Sequence, residues 1–348
     1  MNPVRIGICG LGTVGGGTFN VLATNAQLIA RRAGRDVIVQ QVGARRDNPA
    51  CDTSSVDVTR DIFDVARNPE IDIVVELIGG YEVAKELVMT AIDNGKHVVT
   101  ANKALIAVHG DEIFAAAEAK GVSVMYEAAV AGGIPIIKAL REGLSANRIN
   151  WLAGIINGTG NFILTEMRDK GRDFADVLKE AQELGYAEAD PTFDVEGIDA
   201  AHKLTILASN AYGIPLQFDR CFTEGISKIT RDDVEYAEEL GYRIKHLGVS
   251  RCTEKGIDLR VHPTLIPESR PIAKVDGVLN AVTVNGDAVG DTLYVGAGAG
   301  AGPTASAVVA DIVDLARTLD TDAEARVNHL AFNEMEAVQV LPIEEVET

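Results

Sequence analysis

The feature that most limits the fold of this chain is a glycine pattern near its N-terminus. Gly10, Gly12 and Gly15 have the spacing G-x-G-x-x-G, after a short apolar strand at Val4–Cys9 and before a helix-like run at about 18–32. In a nucleotide-binding turn of this type, the first glycine permits the tight bend, the second lets a pyrophosphate approach the backbone, and the third lets helix pack on strand. The flanking strand and helix favour this interpretation over the alternative, a chance glycine turn.

Strands and helices alternate after this motif. Further apolar strands are predicted at residues 37–42, 71–78, 97–100 and 122–128, with helices at about 82–94 and 105–120. Apolar strands separated by helices predict a doubly wound parallel sheet, in which ligands bind beyond the carboxyl ends of the strands. The expected fold class is therefore α/β with a Rossmann-type domain. Thr13 and Val14 are expected to line the phosphates and the ring of the cofactor. Lys103 is expected to face the nicotinamide half, the alternative being an ordinary helix-start lysine.

The end of the second predicted strand bears on the choice of cofactor. NAD-binding domains usually carry an acidic residue there for the ribose hydroxyls. This chain instead reads Gly43-Ala44-Arg45-Arg46. Because Arg45 can hold a 2′-phosphate through a bidentate contact, NADP is favoured, with NAD as the alternative cofactor. The alternative interpretation of Arg45 and Arg46 is a solvated pair of arginines in a loop.

The pattern changes beyond residue 134. Strands are predicted at 149–156, 243–252 and 257–265, a glycine turn at 158–161, and helices at 162–170, 174–184 and 198–212. The polar alternation in the longer strands indicates an α+β domain with a mixed sheet. We therefore expect a nucleotide-binding domain at 1–134, a substrate-binding, catalytic and dimerisation domain at 135–300, a helix at 301–320 that returns to the first domain, and a tail at 321–348 with no obvious further core.

An acidic stretch at residues 185–203, GYAEADPTFDVEGIDAAHK, concentrates ionisable side chains. Lys203 follows Asp199 at i+4 in a predicted helix, so the two lie one turn apart on the same face. Apolar neighbours indicate that this helix is buried, and a buried Asp and Lys need each other, or a polar ligand, to offset desolvation. The alternative is a helical ion pair beneath a solvated loop. A calcium loop is excluded, because counting from Asp190 gives Val195 rather than glycine at the sixth position.

The composition excludes several classes of partner. The formal charge of −19 disfavours nucleic acid and anionic membranes. No apolar run reaches the length of a membrane helix, and no secretory signal precedes the first strand. The four cysteines, Cys9, Cys51, Cys221 and Cys252, are scattered, as in proteins of reducing compartments. A cytoplasmic protein acting on a small molecule is expected.

With these motifs in hand, nearly the whole chain resembles the homoserine dehydrogenase family, which reduces L-aspartate 4-semialdehyde to L-homoserine in threonine and methionine biosynthesis. The resemblance rests on the glycine motif, on the acidic stretch, which is the most specific, and on four shorter motifs: Thr100-Ala101-Asn102-Lys103, Glu127 with Val130-Ala131-Gly132-Gly133, Asn157-Gly158-Thr159, and Pro303-Thr304-Ala305-Ser306.

The resemblance implies roles for individual residues. Lys203 is implied as the proton donor to the carbonyl oxygen of the substrate, with Glu188 and Asp199 holding the substrate and Asp194 and Thr159 close by. Lys103 is implied at the nicotinamide end, and the remaining cofactor contacts are Thr13, Val14, Arg45, Gly185 and Gly302. The family also binds a monovalent cation, usually sodium, and its positions match Glu127 and the backbones of Val130, Gly132 and Ile134. A homodimer or homotetramer is expected.

The sequence departs from this family in one respect, and two other functions remain as alternatives. Many family members carry a C-terminal regulatory ACT domain, whereas this sequence stops at Thr348 after what resembles the linker to one. Either this is a short form or a domain has been removed, and feedback inhibition by threonine through such a domain is therefore not implied by the resemblance. One rival is an NADP-dependent semialdehyde oxidoreductase with an acyl intermediate, which needs an activated cysteine. The other is a non-catalytic NADP-sensing protein on the same fold.

Overall fold

The strand before the glycine motif lies inside a parallel sheet. In this computed structural model, which describes residues 2–322, 325–333 and 335–346, the strands of the first sheet are β1 (Val4–Cys9), β2 (Val37–Gly43), β3 (Asp57–Thr59), β4 (Ile73–Glu76), β5 (His97–Thr100) and β6 (Val124–Met125). Their order across the sheet is β3-β2-β1-β4-β5-β6, and every neighbouring pair is parallel. The order reverses at β1, which is the mark of a doubly wound sheet, so the α/β fold class is confirmed.

A second sheet is mixed, as expected. Its strands are β7 (Ile149–Ile155), β8 (Phe222–Thr223), β9 (Tyr242–Cys252), β10 (Ile257–Pro267), β11 (Leu279–Gly286) and β12 (Gly290–Ala297). The order is β12-β11-β7-β9-β10-β8. Neighbouring strands are antiparallel except β8 and β10, which run parallel.

The helices complete two compact units. They are α1 (Thr13–Thr24), α2 (Ala26–Ala33), α3 (Ile62–Arg67), α4 (Glu82–Asp93), α5 (Lys103–Ala119), α6 (Ile136–Lys138), α7 (Gly158–Lys170), α8 (Phe174–Glu183), α9 (Thr192–Val195), α10 (Ile198–Tyr212), α11 (Arg231–Glu239) and α12 (Ala301–Thr318). The first unit comprises Met1–Lys138 and Ala299–Asn333, and the second comprises Ala139–Gly298 and Glu334–Thr348. Each unit contains one of the two sheets.

Helix α1 differs from its prediction because packing overrides propensity. It begins at Thr13 rather than Thr18, and three consecutive glycines, residues 15–17, lie inside it. Glycine is a poor helix former, but here it allows close contact. A Cβ on Gly17 would lie 2.4 Å from the carbonyl oxygen of Ala301 at the start of α12. The core of the first unit therefore joins β1 to α1 and α12, through buried side chains such as Ile8, Phe19 and Ile312.

Three predictions for the second unit were incomplete or wrong. Strands β11 and β12 and helix α11 were not predicted. The glycine turn at 158–161 is the first turn of α7, with Asn157 as its N-cap. The tail also contributes buried structure: Val340 is 1% exposed and forms a parallel bridge with Ile257. Across the described residues, no helix is long and apolar enough to cross a membrane.

Candidate active site

The three glycines of the N-terminal motif differ in what surrounds them. Gly10 has a φ of +97°, in the region that favours glycine, and a Cβ on Gly15 would lie 1.9 Å from the Gly10 carbonyl oxygen. A Cβ on Gly12 would meet no atom within 4 Å. Gly12 is the N-cap of α1, whose first N–H groups have no partner within the helix. The motif thus offers a backbone surface for an anion, and these residues fit a dinucleotide.

Side chains of the glycine motif and of the segment that follows β2 lie at the same edge of the first sheet. Thr13 is exposed and Val14 is half-buried. Asn48 donates a hydrogen bond from Nδ2 to the carbonyl oxygen of Leu11 at 3.0 Å, which ties the segment after β2 to the glycine motif. Arg45 comes shortly before Asn48 in the chain and is exposed just beyond the carboxyl end of β2. Its guanidinium is therefore available at the edge where the motif begins.

A buried carboxylate that the sequence analysis did not single out organises the ends of β4 and β5. Glu76 is 0% exposed. Its Oε1 accepts hydrogen bonds from the backbone N–H groups of Ile78 at 2.9 Å and Gly79 at 3.0 Å, and its Oε2 accepts one from Thr100 Oγ1 at 2.6 Å. The sequence did contain a signal that could have identified Glu76, because this acidic residue ends the otherwise apolar strand β4.

The same network fixes the start of α5. Thr100 Oγ1 accepts a hydrogen bond from the backbone N–H of Asn102 at 3.0 Å. Asn102 Nδ2 donates to the carbonyl oxygen of Gly80 at 2.7 Å, and its Oδ1 caps the helix by accepting from Leu105 N–H. Lys103, half-buried, is the first residue of α5. The network therefore sets the position of Lys103 beyond the carboxyl end of β5.

The residues matched to a cation site form a tight turn within the first unit. Glu127 is 4% exposed, and its carboxylate accepts hydrogen bonds from the N–H groups of Ile137 at 2.9 Å and Lys138 at 2.7 Å. Gly132 has a φ of +46°. Val130 and Ile134 are 0% and 2% exposed.

The donor chemistry of this turn suits one class of ion. Among the described residues, no group of three or more His, Cys, Asp or Glu side chains could hold a metal ion. A cation at this turn would therefore depend on backbone carbonyl oxygens together with the single Glu127 carboxylate. Such oxygen donors suit a hard, weakly charged cation and not a transition metal.

In the second unit, Lys203 and Asp199 form a buried ion pair on α10. Lys203 Nζ lies 2.6 Å from Asp199 Oδ2 and donates a second hydrogen bond to the carbonyl oxygen of Ile156 at 2.7 Å. The two residues are 9% and 2% exposed. Helix α10 has the predicted bounds, and nearly all of its residues are buried. The pair therefore lies in an environment of low polarity, where the interaction energy between charges is larger than in water.

Asn157 connects this ion pair to a second carboxylate. Its Nδ2 donates to Asp199 Oδ2 at 2.9 Å and to Asp194 Oδ1 at 2.7 Å. Asp194 lies on α9, so residues from the start of α7, α9 and α10 meet at one place. Asn157 belongs to one of the motifs that carry the resemblance, but no role was predicted for it. Its contacts depend on the fold bringing three distant segments together.

Two further residues expected at the substrate, Thr159 and Glu188, and the expected cofactor residue Gly185 lie in or next to the segment between α8 and α9. Thr159 Oγ1 donates to the carbonyl oxygen of Tyr186 at 2.6 Å. Gly185 has a φ of +75°, and both Gly185 and Glu188 are exposed. The structure thus brings Asp194, Asp199 and Lys203 into one cluster, whereas Glu188 and Gly185 lie in an exposed segment. Gly302 lies in the first turn of α12, within the first unit.

A second buried lysine in this unit is held too completely to act on a substrate. Lys245 is 1% exposed, and its Nζ donates to Asn161 Oδ1 at 3.0 Å, Val275 O at 2.7 Å and Asp276 Oδ1 at 2.9 Å. Those bonds use all three of its donors. Burial lowers the pKa of Lys245, although Asp276 opposes the effect. Burial acts to raise the pKa of Asp276, but hydrogen bonds from Arg168 and Lys245 outweigh it and bring the pKa to about 2.

Three of the four cysteines are poorly suited to act as nucleophiles. Burial raises the pKa of Cys9 and of Cys51, and it raises the pKa of Cys221 to about 12. A thiolate is the reactive form of cysteine. An acyl-enzyme mechanism through any of these three side chains is therefore disfavoured.

Comparison with families and curated proteins gives one consistent match. The family model described as homoserine dehydrogenase matches residues 135–313, and the one described as the homoserine dehydrogenase NAD binding domain matches residues 10–127. A homoserine dehydrogenase from Pseudomonas aeruginosa is 73% identical over 350 residues, which cover 100% of this chain and 81% of that protein.

Solved structures agree with the sequence matches. A homoserine dehydrogenase from Thiobacillus denitrificans has a TM-score of 0.95 at 66% identity, covering 99% of this chain and 81% of that chain. A hyperthermophilic archaeal homoserine dehydrogenase, solved in complex with NADPH, has a TM-score of 0.77 at 26% identity, covering 92% of this chain and 98% of that chain.

Proposed function

The chain belongs to the homoserine dehydrogenase family of NAD(P)-dependent oxidoreductases, and on this premise we propose which of its residues carry the reaction. That reaction interconverts L-aspartate 4-semialdehyde and L-homoserine. The observation that carries the proposal is the buried pair of Lys203 and Asp199, linked through Asn157 to Asp194.

Lys203 is the proton donor. Reduction of an aldehyde places negative charge on the carbonyl oxygen, and the bound nicotinamide cofactor supplies the hydride. The ammonium group of Lys203 stabilises that oxyanion and then protonates it. Asp199, 2.6 Å away, offsets the cost of burying the ammonium. Lys103, positioned at the start of α5, assists at the nicotinamide end.

The carboxylates around Lys203 bind the amino-acid part of the substrate. Asp194 and Asp199 both accept hydrogen bonds from the amide of Asn157, and Glu188 lies in the exposed segment that precedes α9. An ammonium group is the complement of such carboxylates. Thr159, whose hydroxyl is held by Tyr186, supplies a further polar contact.

The first unit binds the cofactor through Gly10, Gly12, Gly15, Thr13 and Val14. NADP is the preferred form, because Arg45 is exposed beyond the carboxyl end of β2 where a 2′-phosphate would lie. The presence of NADPH in the archaeal relative supports the same preference. Lys103, Gly185 and Gly302 complete the proposed set of cofactor contacts.

Replacing Arg45 tests the cofactor preference. Arg45→Ala removes the guanidinium and should raise the KM for NADPH about 10-fold or more, while the KM for NADH changes little, since charge-assisted contacts of this kind are worth about 1.5–3 kcal/mol. Arg31→Ala, which removes an exposed arginine on α2 of the same unit, is the matched control. Equal effects on NADPH and NADH would contradict the assignment.

We also propose a monovalent cation, sodium, at Glu127 and the backbone oxygens of Val130, Gly132 and Ile134. Supporting features are the buried carboxylate and the left-handed turn at Gly132. The cation holds the turn that leads into α6. Activity that is the same in sodium buffer and in tetramethylammonium buffer would contradict a required cation.

We also propose a function for each segment of the chain, an oligomeric state and a cellular location. The segment 1–134 with the helix at 301–320 serves the cofactor, 135–300 serves the substrate and subunit contacts, and 321–348 resembles a linker. Leu293 and Val295, 39% and 49% exposed on strand β12 at the edge of its sheet, support a homodimer or homotetramer formed through the second unit. A monomeric mass in sedimentation would contradict that assembly.

Fractionation of cells tests the proposed cytoplasmic location.

Lys203→Met tests the role of the proposed proton donor. Loss of a positioned general acid lowers kcat by about 10²–10⁴-fold, so the variant should lose turnover in both directions. The dissociation constant for NADPH, measured by fluorescence titration, should stay within about 2-fold of the original. Lys228→Met, which removes an exposed lysine of the same unit, is the control. Full kcat in a folded Lys203→Met protein would remove Lys203 from the role.

A further inference from the structure

The junction between β7 and α7 contacts both members of the proposed catalytic pair. Ile156, the first residue after β7, accepts a hydrogen bond from Lys203 Nζ through its carbonyl oxygen at 2.7 Å. The next residue, Asn157, donates from its amide to Asp199 Oδ2 at 2.9 Å. Two consecutive residues therefore hold the ammonium and the carboxylate from one side.

The orientation of the Asn157 amide follows from its surroundings. Its Oδ1 accepts a hydrogen bond from the backbone N–H of Gly160 at 2.7 Å, and its Nδ2 donates to Asp194 and Asp199. If the amide were reversed, its oxygen would face two carboxylates and its NH₂ group would face an N–H donor. In the observed orientation the amide oxygen and both N–H groups have partners, and the residue is 7% exposed.

From this geometry we propose that Asn157 is a positioning residue for the reaction, which sets Asp199 against Lys203 and holds Asp194 and Asp199 apart. The proposal rests on the function assigned above to Lys203. Asp199 Oδ2 receives hydrogen bonds from both Lys203 and Asn157, so the amide fixes the carboxylate in the direction that the ammonium requires. Its second N–H does the same for Asp194.

The amide also separates two like charges. Two carboxylates that meet at a single group repel each other, and a hydrogen-bond donor placed between them offsets that repulsion. Here the NH₂ group of Asn157 gives one hydrogen to each. Its removal would leave both carboxylates to turn away or to take up a proton. Either change would weaken the binding of the substrate ammonium and misalign Lys203.

Two substitutions separate this role from the helix-capping role of the same side chain. Asn157→Ser keeps an oxygen that can cap α7 but replaces the two amide N–H donors by a single O–H on a shorter side chain, which cannot serve Asp194 and Asp199 together. Asn157→Asp keeps Oδ1 for Gly160 N–H, removes both donors at neutral pH, and adds a third carboxylate. Thr230→Ala is the matched control, since Thr230 caps α11 by accepting from Asp233 N–H, far along the chain from the site.

The expected result is a loss in the chemical step that capping alone does not produce. Asn157→Ser should lower kcat/KM for L-homoserine by about 10²-fold, the scale of a small misplacement of reacting groups. Its dissociation constant for NADPH should remain within about 2-fold of the original. Thr230→Ala should lower the melting temperature with kcat/KM unchanged.

The pH dependence of Asn157→Asp supplies a second readout. The introduced carboxyl lies against Asp194 and Asp199, and Asp199 Oδ2 also accepts from Lys203; His246 of β9 lies beside Gly160. As the pH falls, this carboxyl takes up a proton and regains one donor. Its kcat/KM relative to the unmodified protein should therefore rise at least about 3-fold between pH 8.5 and pH 6, whereas the ratio for Asn157→Ser stays flat.

The outcomes separate this inference from the proposed function. If Lys203→Met loses activity but Asn157→Ser retains the original kcat/KM, the positioning role is wrong and the function of Lys203 stands. If Lys203→Met retains activity, the proposed function itself has failed. Should Asn157→Ser not fold, Asn157→Asp carries the test through its pH profile, and a ratio that does not change with pH overturns the proposal.

Discussion

Lowering the pH should destabilise the first unit through one buried histidine. His97 begins β5, is 7% exposed, and accepts a hydrogen bond at Nδ1 from the backbone N–H of Ser123 at 3.0 Å. Burial, assisted by the positive charge of Arg326, lowers the pKa of His97 to about 4. The unfolded chain therefore takes up a proton on this side chain near pH 6.5, well before the folded chain does.

The sign and size of the effect follow from linkage. Between pH 6.5 and about pH 4 the unfolded state binds more protons, so stability that is present above pH 6.5 is lost as the pH falls. The gap between the two pKa values corresponds to about 3.4 kcal/mol when fully developed, and to about 2 kcal/mol between pH 8 and pH 5. A contribution of this size is a large fraction of ordinary protein stability.

The test compares the original protein with His97→Gln, whose amide oxygen can still accept from Ser123. Free energies of unfolding would be measured by urea titration with far-ultraviolet circular dichroism at pH 8, 7, 6 and 5. The difference at pH 8 reports only the packing change, because the imidazole is neutral there. As the pH falls to 5, the variant should gain about 2 kcal/mol relative to the original. A difference that is constant from pH 8 to pH 5 would refute the reasoning.

Two further predictions concern packing and buried charge. Gly17→Ala places a methyl group 2.4 Å from the Ala301 carbonyl oxygen and should destabilise the protein by about 1–3 kcal/mol, seen as a lower melting temperature; an unchanged melting temperature would show that α1 and α12 can separate easily. Asp276→Asn should lower the free energy of unfolding by about 1–3 kcal/mol at pH 7, because Lys245 loses its carboxylate partner. Fluorescence of Trp151 in β7 reports on that unit. The loss should shrink as the pH falls from about 4 towards 2 and the unmodified carboxyl protonates; a loss that is constant with pH would contradict it.

The sequence predicted elements well where one local signal dominated. Helix α10 runs from Ile198 to Tyr212 as expected, because its apolar residues and its flanking glycines agree. Strand β1 and the parallel sheet followed from the glycine motif and the alternation of apolar strands. Propensity failed at α1 and at the start of α7. There, glycines that look like turns are required by close backbone contacts, such as Gly158 against the carbonyl oxygen of Val278.

The candidate site was predictable in part for a related reason. The pairing of Asp199 and Lys203 is local, at i and i+4 in one helix, so the sequence was sufficient. The contacts of Asn157 and Glu76 join segments that are distant along the chain. No periodicity or spacing encodes them, because they depend on which strand ends meet at one edge of a sheet and which helices begin at one place.

The proposed reaction is tested most directly by the initial rate of L-homoserine-dependent NADP reduction, followed at 340 nm, for the original protein and for Lys203→Met side by side. The original protein should turn over, faster with NADP than with NAD, and the variant should lose about 10²-fold or more of that rate. A folded original protein that does not oxidise L-homoserine with either cofactor, or a variant that does so at the original rate, would contradict the proposal.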